Sequence, residues 1–103
     1  MKYPKIVTKL TTLCDGWIVG SSANPDNINP RDYDIFIPID KWLEASNYIP
    51  QTAKINRMGG FKLKCEGIEI DVWTGKMETI LASNYFTYAY HPKTGVRLIR
   101  ILD

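Results

Sequence analysis

Two short runs of alternating hydrophobicity, Phe61–Cys65 and Ile68–Trp73, flank the dipeptide Glu66-Gly67, and no other stretch of the 103-residue chain leaves so little freedom. Side chains alternate between faces along a strand, and a two-residue hairpin loop fixes which residues stand opposite one another. Cys65 is thereby set against Ile68, Lys64 against Glu69, Leu63 against Ile70, Lys62 against Asp71 and Phe61 against Val72. One face of the predicted hairpin is apolar (Phe61, Leu63, Cys65, Ile68, Ile70 and Val72) and belongs to a core. The other carries Lys62, Lys64, Glu69, Asp71 and Trp73. A slip of one residue would turn the apolar set to water, so the register is strongly specified.

A lone hairpin is marginal in water and needs partners for its apolar face. Ile6, Val7, Leu10, Leu13 and Cys14 recur at helical spacing behind Pro4, which predicts an amphipathic helix over 4–14, ended near Asp15-Gly16. Trp17-Ile18-Val19 reads as a short strand that runs directly into Gly20-Ser21-Ser22. Residues 23–31 hold two Pro and three Asn and read as a loop. Asp32–Ile37 is a β-prone run closed by Pro38. Residues 40–48 read as a helix capped by Asp40, with Trp42, Leu43, Ala45 and Tyr48 on one buried side. Gly59-Gly60 punctuates the chain before the hairpin, and a short helix is expected over 76–82. A last hairpin pairs 85–90 with 96–102 around His91-Pro92-Lys93-Thr94-Gly95. This order predicts an α+β domain, a mixed β-sheet with a few short helices packed on it, as a single unit over residues 1–103.

Composition removes several classes. Seven Gly, six Pro, two Cys and 23% charged residues exclude collagen-like, disulfide-rich, disordered and coiled-coil chains. No apolar run approaches the roughly 20 residues of a membrane span, and no signal-peptide core stands at the N-terminus, so a cytoplasmic protein with no membrane partner is expected. Cys14 and Cys65 lack a CxxC spacing and read as buried thiols. Residues 1–51 hold five Lys/Arg against six Asp/Glu and residues 52–103 hold eight against five, a difference of −1 against +3. This small asymmetry suits a site for a cation and a phosphorylated ligand, and it is also within what chance gives.

Three features bear on chemistry. A strand ends in Gly20-Ser21, Asp32 and Asp34 share one face of the next strand, and a third carboxylate, Asp71, sits within the strand Ile68–Trp73. Like charges this close are unfavourable unless a cation or hydrogen-bond donors offset them. A third acid from a neighbouring strand would complete an oxygen-ligand set for Mg²⁺, which takes one or two carboxylates, waters and substrate phosphates. A Gly-Ser turn lets backbone N–H groups and a hydroxyl approach a phosphate without obstruction. The plain alternatives are a solvated strand edge for Asp32 and Asp34, and a cross-strand ion pair with Lys62 for Asp71, worth about 0.2–1 kcal/mol. Arg31 either touches phosphate or caps the loop. His91 reads as a surface histidine in a Pro-containing turn, and Tyr33 and Trp73 as packing residues more than base-stacking ones.

The runs GWIVGSSA, RDYDIFIP and GIEIDVW resemble the polymerase-beta-type nucleotidyltransferase superfamily, whose signature is a strand-terminal Gly-Ser, an Asp-x-Asp strand and a distal third Asp. The stretch NYFTYAYHPKTGVRLI is weakly similar to the segment that follows the third Asp in the head domains of poly(A) polymerases and CCA-adding enzymes. The resemblance covers residues 16–98. It implies that Asp32 and Asp34 bind two metal ions, Mg²⁺ or Mn²⁺, and that Asp71 binds the catalytic one and helps activate an acceptor hydroxyl. It implies that Gly20 and Ser21 hold the triphosphate; Lys62, read as standing beside Asp71 across the hairpin, is the further nucleotide-binding candidate, a point charge in reach of a phosphate. The reaction implied is transfer of a nucleoside monophosphate from an NTP, ATP by default, to a hydroxyl of an RNA 3′ end, a small molecule or a protein, with release of pyrophosphate. Two departures stand out: Asn24, Pro25, Asn29 and Pro30 replace the helix that usually follows Gly-Ser, and Ala82-Ser83-Asn84-Tyr85 stands where CCA-adding enzymes carry Arg-Arg-Asp. The helical domains of larger members are also missing, so the chain resembles a minimal catalytic head. This favours a helical partner protein or a homodimer, and keeps open a non-catalytic nucleotide-binding or antitoxin-like interaction module of the same fold.

Overall fold

The computed structural model describes residues 3–82 and 87–100. Its elements in chain order are α1 (Lys5–Leu13), β1 (Trp17–Val19), β2 (Asp32–Pro38), α2 (Trp42–Ser46), β3 (Lys54–Ile55), β4 (Phe61–Cys65), β5 (Ile68–Gly75), α3 (Met77–Ala82), β6 (Tyr88–His91) and β7 (Val96–Ile99). The seven strands form one sheet in the order β3-β4-β5-β2-β1-β6-β7. β2 and β5 run parallel and the other neighbouring pairs antiparallel, so the sheet is mixed as expected. The expected ends of the last hairpin, 85–86 and 101–102, lie outside the described residues.

The central hairpin keeps the register read from the sequence, from Phe61↔Val72 to Cys65↔Ile68. Both Glu66 (φ 54°) and Gly67 (φ 79°) are left-handed, as the tight turn between right-twisted strands requires. Its apolar face joins the main core. Ile70 and Val72 are fully buried beside Ile18, Ile35 and Ile37, and the buried stripe of α1 (Ile6, Val7, Leu10) covers them. Cys14 is buried there too, and burial raises its thiol pKa, which leaves it unreactive. Tyr33 belongs to the same core, its ring edge-on to Tyr3 at 5.9 Å. Cys65 is only half-buried.

The structure corrects the sequence reading in four places. Residues 39–41 form a 3-10 turn and only Trp42–Ser46 are α-helical. The tighter turn winds at three residues instead of 3.6 and shifts the helix phase, so Leu43 is 83% exposed while Ala45 is buried and Trp42 stacks on Phe61. Asp40 lies inside that turn and makes no capping hydrogen bond; the residue before α2 is Lys41. β3 is an additional strand, two residues long, paired with the start of β4. His91 is buried, not a surface residue. Its Nδ1 faces Thr94 Oγ1 at 2.7 Å, its Nε2 faces the carbonyl of Asp15 at 3.2 Å, and its ring lies 4.7 Å from that of Trp17. Lys93 donates to Asp15 Oδ1 at 2.9 Å, which holds that carboxyl below its ordinary pKa. The end of α1 is thereby tied to the last hairpin.

Edge strand β7 has its own arrangement. Arg97 lies opposite Tyr90, on the face that carries the core. Its guanidinium sits 4.3 Å over the Tyr90 ring, and Nη1 donates to the carbonyl of Ala23 at 2.6 Å.

Candidate active site

The face of the sheet opposite α1 carries the polar residues of the hairpin. Pairing sets Lys54 beside Lys62, Lys62 beside Asp71, Asp71 beside Asp34 and Asp34 beside Val19, a row across five strands. The next row holds Lys64, Glu69 and Asp32, and the row on the other side holds Trp73, Phe36 and Trp17. Neighbouring strands lie about 4.8 Å apart, so the Asp34 and Asp71 side chains rise together from one level of the sheet. They open into a cleft of about 750 Å³ whose lining includes Gly20, Lys62, Trp73 and Thr79.

Asp34 is half-buried, and its carboxyl is pushed up to about 6. Burial is the main cause, followed by the charges of Asp71 and Asp32; Lys62 opposes them. Asp71 does not make the cross-strand ion pair that stood as the plain alternative for it. Among the described residues Lys62 makes no ion pair, and Asp71 Oδ1 instead accepts a hydrogen bond from Asn56 Nδ2 at 3.2 Å. Asp32 is exposed at the first position of β2. The described residues hold no group of three or more His, Cys, Asp or Glu side chains gathered closely enough for a metal ion. The three acids therefore share a face and a field, with Asp34 and Asp71 side by side and Asp32 standing off.

The turn after β1 positions Gly20 and displaces Ser21. Gly20–Ala23 form a 3-10 turn, and Gly20 is left-handed (φ 71°). A Cβ at Gly20 would stand 3.4 Å from Asp34 Oδ2. Ser21 is exposed and outside the cleft lining; its carbonyl accepts from Asn24 N and Asn27 Nδ2 and holds the following loop. The hydroxyl that reaches the acid strand is that of Ser22, which accepts from Asp34 N at 3.3 Å and donates to the carbonyl of Val19 at 3.0 Å. Gly20→Ala should cost about 1 kcal/mol through its left-handed backbone. The added methyl also narrows the cleft beside Asp34, and a thermal melt of the variant against the wild type checks the cost.

Arg31 lies outside this cleft. It helps to line a separate groove of about 430 Å³ with Ile28, Pro30 and Tyr33, and its carbonyl accepts from Glu69 N. The sequence reading missed Asn56, Arg57 and Met58, which form the far wall of the acid cleft. The signal available was Gly59-Gly60, which marks a tight turn directly after them.

Comparison with protein-family models, with curated proteins and with solved structures finds no match for this chain. The class that fold and site define is thus a mixed-sheet α/β domain with paired carboxylates on one open face.

Proposed function

We propose that this chain is a divalent-ion-dependent nucleotidyltransferase, which moves a nucleoside monophosphate from an NTP to a hydroxyl acceptor and releases pyrophosphate. The observation that carries the reading is the alignment of Asp34 with Asp71 in the floor of an open cleft, where burial, and after it the charge of Asp71, pushes the Asp34 carboxyl up to about 6. A pair that destabilises itself in this way suits a site for a cation.

Mg²⁺ keeps several waters and takes one or two carboxylates together with substrate phosphates, so the donor set fits it without a preformed cage; Mn²⁺ shares the preference for oxygen. Asp34 and Asp71 would hold the ion, with Asp32 next on the same face. Bound there, the ion supplies neutralisation of the charge that develops on the transferred phosphoryl group. In the reaction the acceptor oxygen bonds to the α-phosphorus and the bond from that phosphorus to the bridging oxygen breaks, so that pyrophosphate leaves. We assign Asp71 as acceptor of the hydroxyl proton. Lys62, a point charge in the cleft lining, would contact phosphate oxygens. Gly20 leaves space beside Asp34 for the ligand, and Trp73 supplies an apolar wall.

The test is incubation with Mg²⁺, each labelled NTP in turn, and a mixed pool of tRNA, total RNA and cell extract. Label should pass to a macromolecule with the wild-type protein and not with Asp32→Asn or Asp71→Asn. Absence of transfer from every NTP, with a folded protein, would favour the second reading, a non-catalytic nucleotide-binding or partner-binding module completed by a helical protein or a second copy. The exposure of Ser21 and of Asp32, which pairs with Glu69 and not with Asp71, speaks for that alternative.

Ion binding should also depend on pH. A proton on Asp34 competes with the cation, so Mg²⁺ affinity is expected to rise as pH passes up through about 6 and to level off above pH 7. Isothermal titration at pH 5, 6, 7 and 8 checks this, and an affinity flat across the range would remove Asp34 from the ligand set.

A further inference from the structure

Asn56 has an unusual number of commitments for a loop residue. Its backbone N–H donates to the carbonyl of Gly60 at 3.0 Å, and its own carbonyl accepts from Gly59 N at 3.1 Å. Its side-chain Oδ1 accepts from Met58 N at 3.0 Å and from Gly60 N at 2.9 Å. The amide nitrogen is left for two acceptors outside the turn: the carbonyl of Phe61 at 3.3 Å and Asp71 Oδ1 at 3.2 Å. With Oδ1 committed to two backbone donors, the amide cannot flip, and Nδ2 is held toward the carboxylate.

We propose that Asn56 is a positioning residue for Asp71, fixing the orientation of that carboxylate for the cation and tying it to the 56–60 loop. The inference rests on the reading of Asp34 and Asp71 as an ion site and adds a specific residue to it. A carboxylate at a metal site has freedom about two side-chain bonds, and a donor locked onto one oxygen leaves the other directed at the ligand. Residues that orient a ligand in this way carry a large share of affinity: their loss typically weakens ion binding roughly 10- to 100-fold. The same amide offsets part of the repulsion between Asp71 and Asp34 while no cation is bound. The loop it anchors brings Arg57 and Met58 to the cleft wall, so contact of a ligand with that wall is mechanically linked to Asp71.

A loop anchor without this role would affect ion binding only by loosening the turn, and Gly59 separates the two. Gly59 is left-handed (φ 78°) with open space around it, so Gly59→Ala strains the same turn and leaves the Asn56 amide on Asp71. Mg²⁺ affinity is measured at pH 7.5 by isothermal titration for the wild type, Asn56→Ala and Gly59→Ala. The expected result is a loss of at least about tenfold for Asn56→Ala and less than threefold for Gly59→Ala. A second measurement needs no variant: in ¹⁵N-labelled wild-type protein, the Asn56 side-chain amide signals should move during Mg²⁺ addition with the midpoint of the binding isotherm. Wild-type affinity in Asn56→Ala, an equal loss in Gly59→Ala, or Asn56 signals that stay still while Mg²⁺ binds would each overturn the proposal and leave the ion site standing. A wild-type protein that binds no Mg²⁺ would overturn both.

Discussion

Asp34→Asn should melt at a higher temperature than the wild-type protein at pH 7.5, and at the same temperature near pH 3. The Asp34 carboxyl titrates near 6 in the fold against an ordinary value of 3.8. Between these values the native state holds a proton that the unfolded chain has released, so native stability falls as pH rises through the window and the whole penalty is present above pH 6. Asparagine carries no such penalty. A shift of this size corresponds to about 3 kcal/mol at 1.36 kcal/mol per unit, and because Asp34 keeps part of its solvent contact, screening reduces the expectation to roughly 1–2 kcal/mol. For a domain of this length that is on the order of 5–10 °C. On the proposed function the same variant should also lose stabilisation by Mg²⁺ and nucleotidyl transfer. A wild-type melt that stays flat between pH 4 and 7.5, or a variant no more stable at pH 7.5, would show that burial and the neighbouring carboxylates do not penalise the Asp34 charge.

Gly60→Ala is expected to act in the opposite direction and more strongly. Gly60 precedes β4 and lies flat against β5: a Cβ there would overlap the carbonyl oxygen of Val72 and fall 2.9 Å from Trp73 Cα. Both neighbours are backbone of a central strand and cannot turn aside. The start of β4 must lift, which separates Gly60 from Asn56 and pulls the Asn56 amide from Asp71. Overpacking usually costs about 1–3 kcal/mol. With rigid backbone on both sides the upper end is expected, a fall in melting temperature on the order of 15 °C. Gly59→Ala, next door in open space, should lose only about 1 kcal/mol from its left-handed backbone. Equal melts for the two variants would contradict the close approach of Gly60 to Val72.

Much of this fold is legible from periodicity. α1, β1, β2 and the β4–β5 hairpin follow from local pattern, because each has an apolar face whose period, 3.6 or 2, has one solution. Asp71 was legible as a polar-face residue of the hairpin, opposite Lys62. What local pattern does not contain is the parallel pairing of β2 with β5, whose partners are far apart in sequence, as with Thr74 and Ile37, 37 residues apart. That pairing sets Asp34 rather than Asp32 beside Asp71. His91 was misread for a similar reason: its turn is polar and contains Pro92, and what buries it is the Asp15 carbonyl and Trp17, from the other end of the chain. Ser22 replaced Ser21 at the acid strand because a 3-10 turn after Val19, not a plain loop, sets which hydroxyl points back. Asn56 was missed because its partners are backbone groups of its own turn together with one distant carboxylate.

An open sheet has two flanks at which another chain can add a strand, and this one treats them differently. β3 is only two residues long, too short a template for a stable addition. β7 is longer and carries exposed Val96 and Ile99, the residues most prone to seed ordered aggregation. Arg97 stands between them in sequence with its charge turned inward onto Tyr90 and Ala23. An inward-facing cation on a terminal strand is a gatekeeper: continuing the sheet past it would extend the core layer over a guanidinium. The contact that holds Ala23 in place thus also sets a cation on the core-side face of that flank, where an added strand would have to pack beside it.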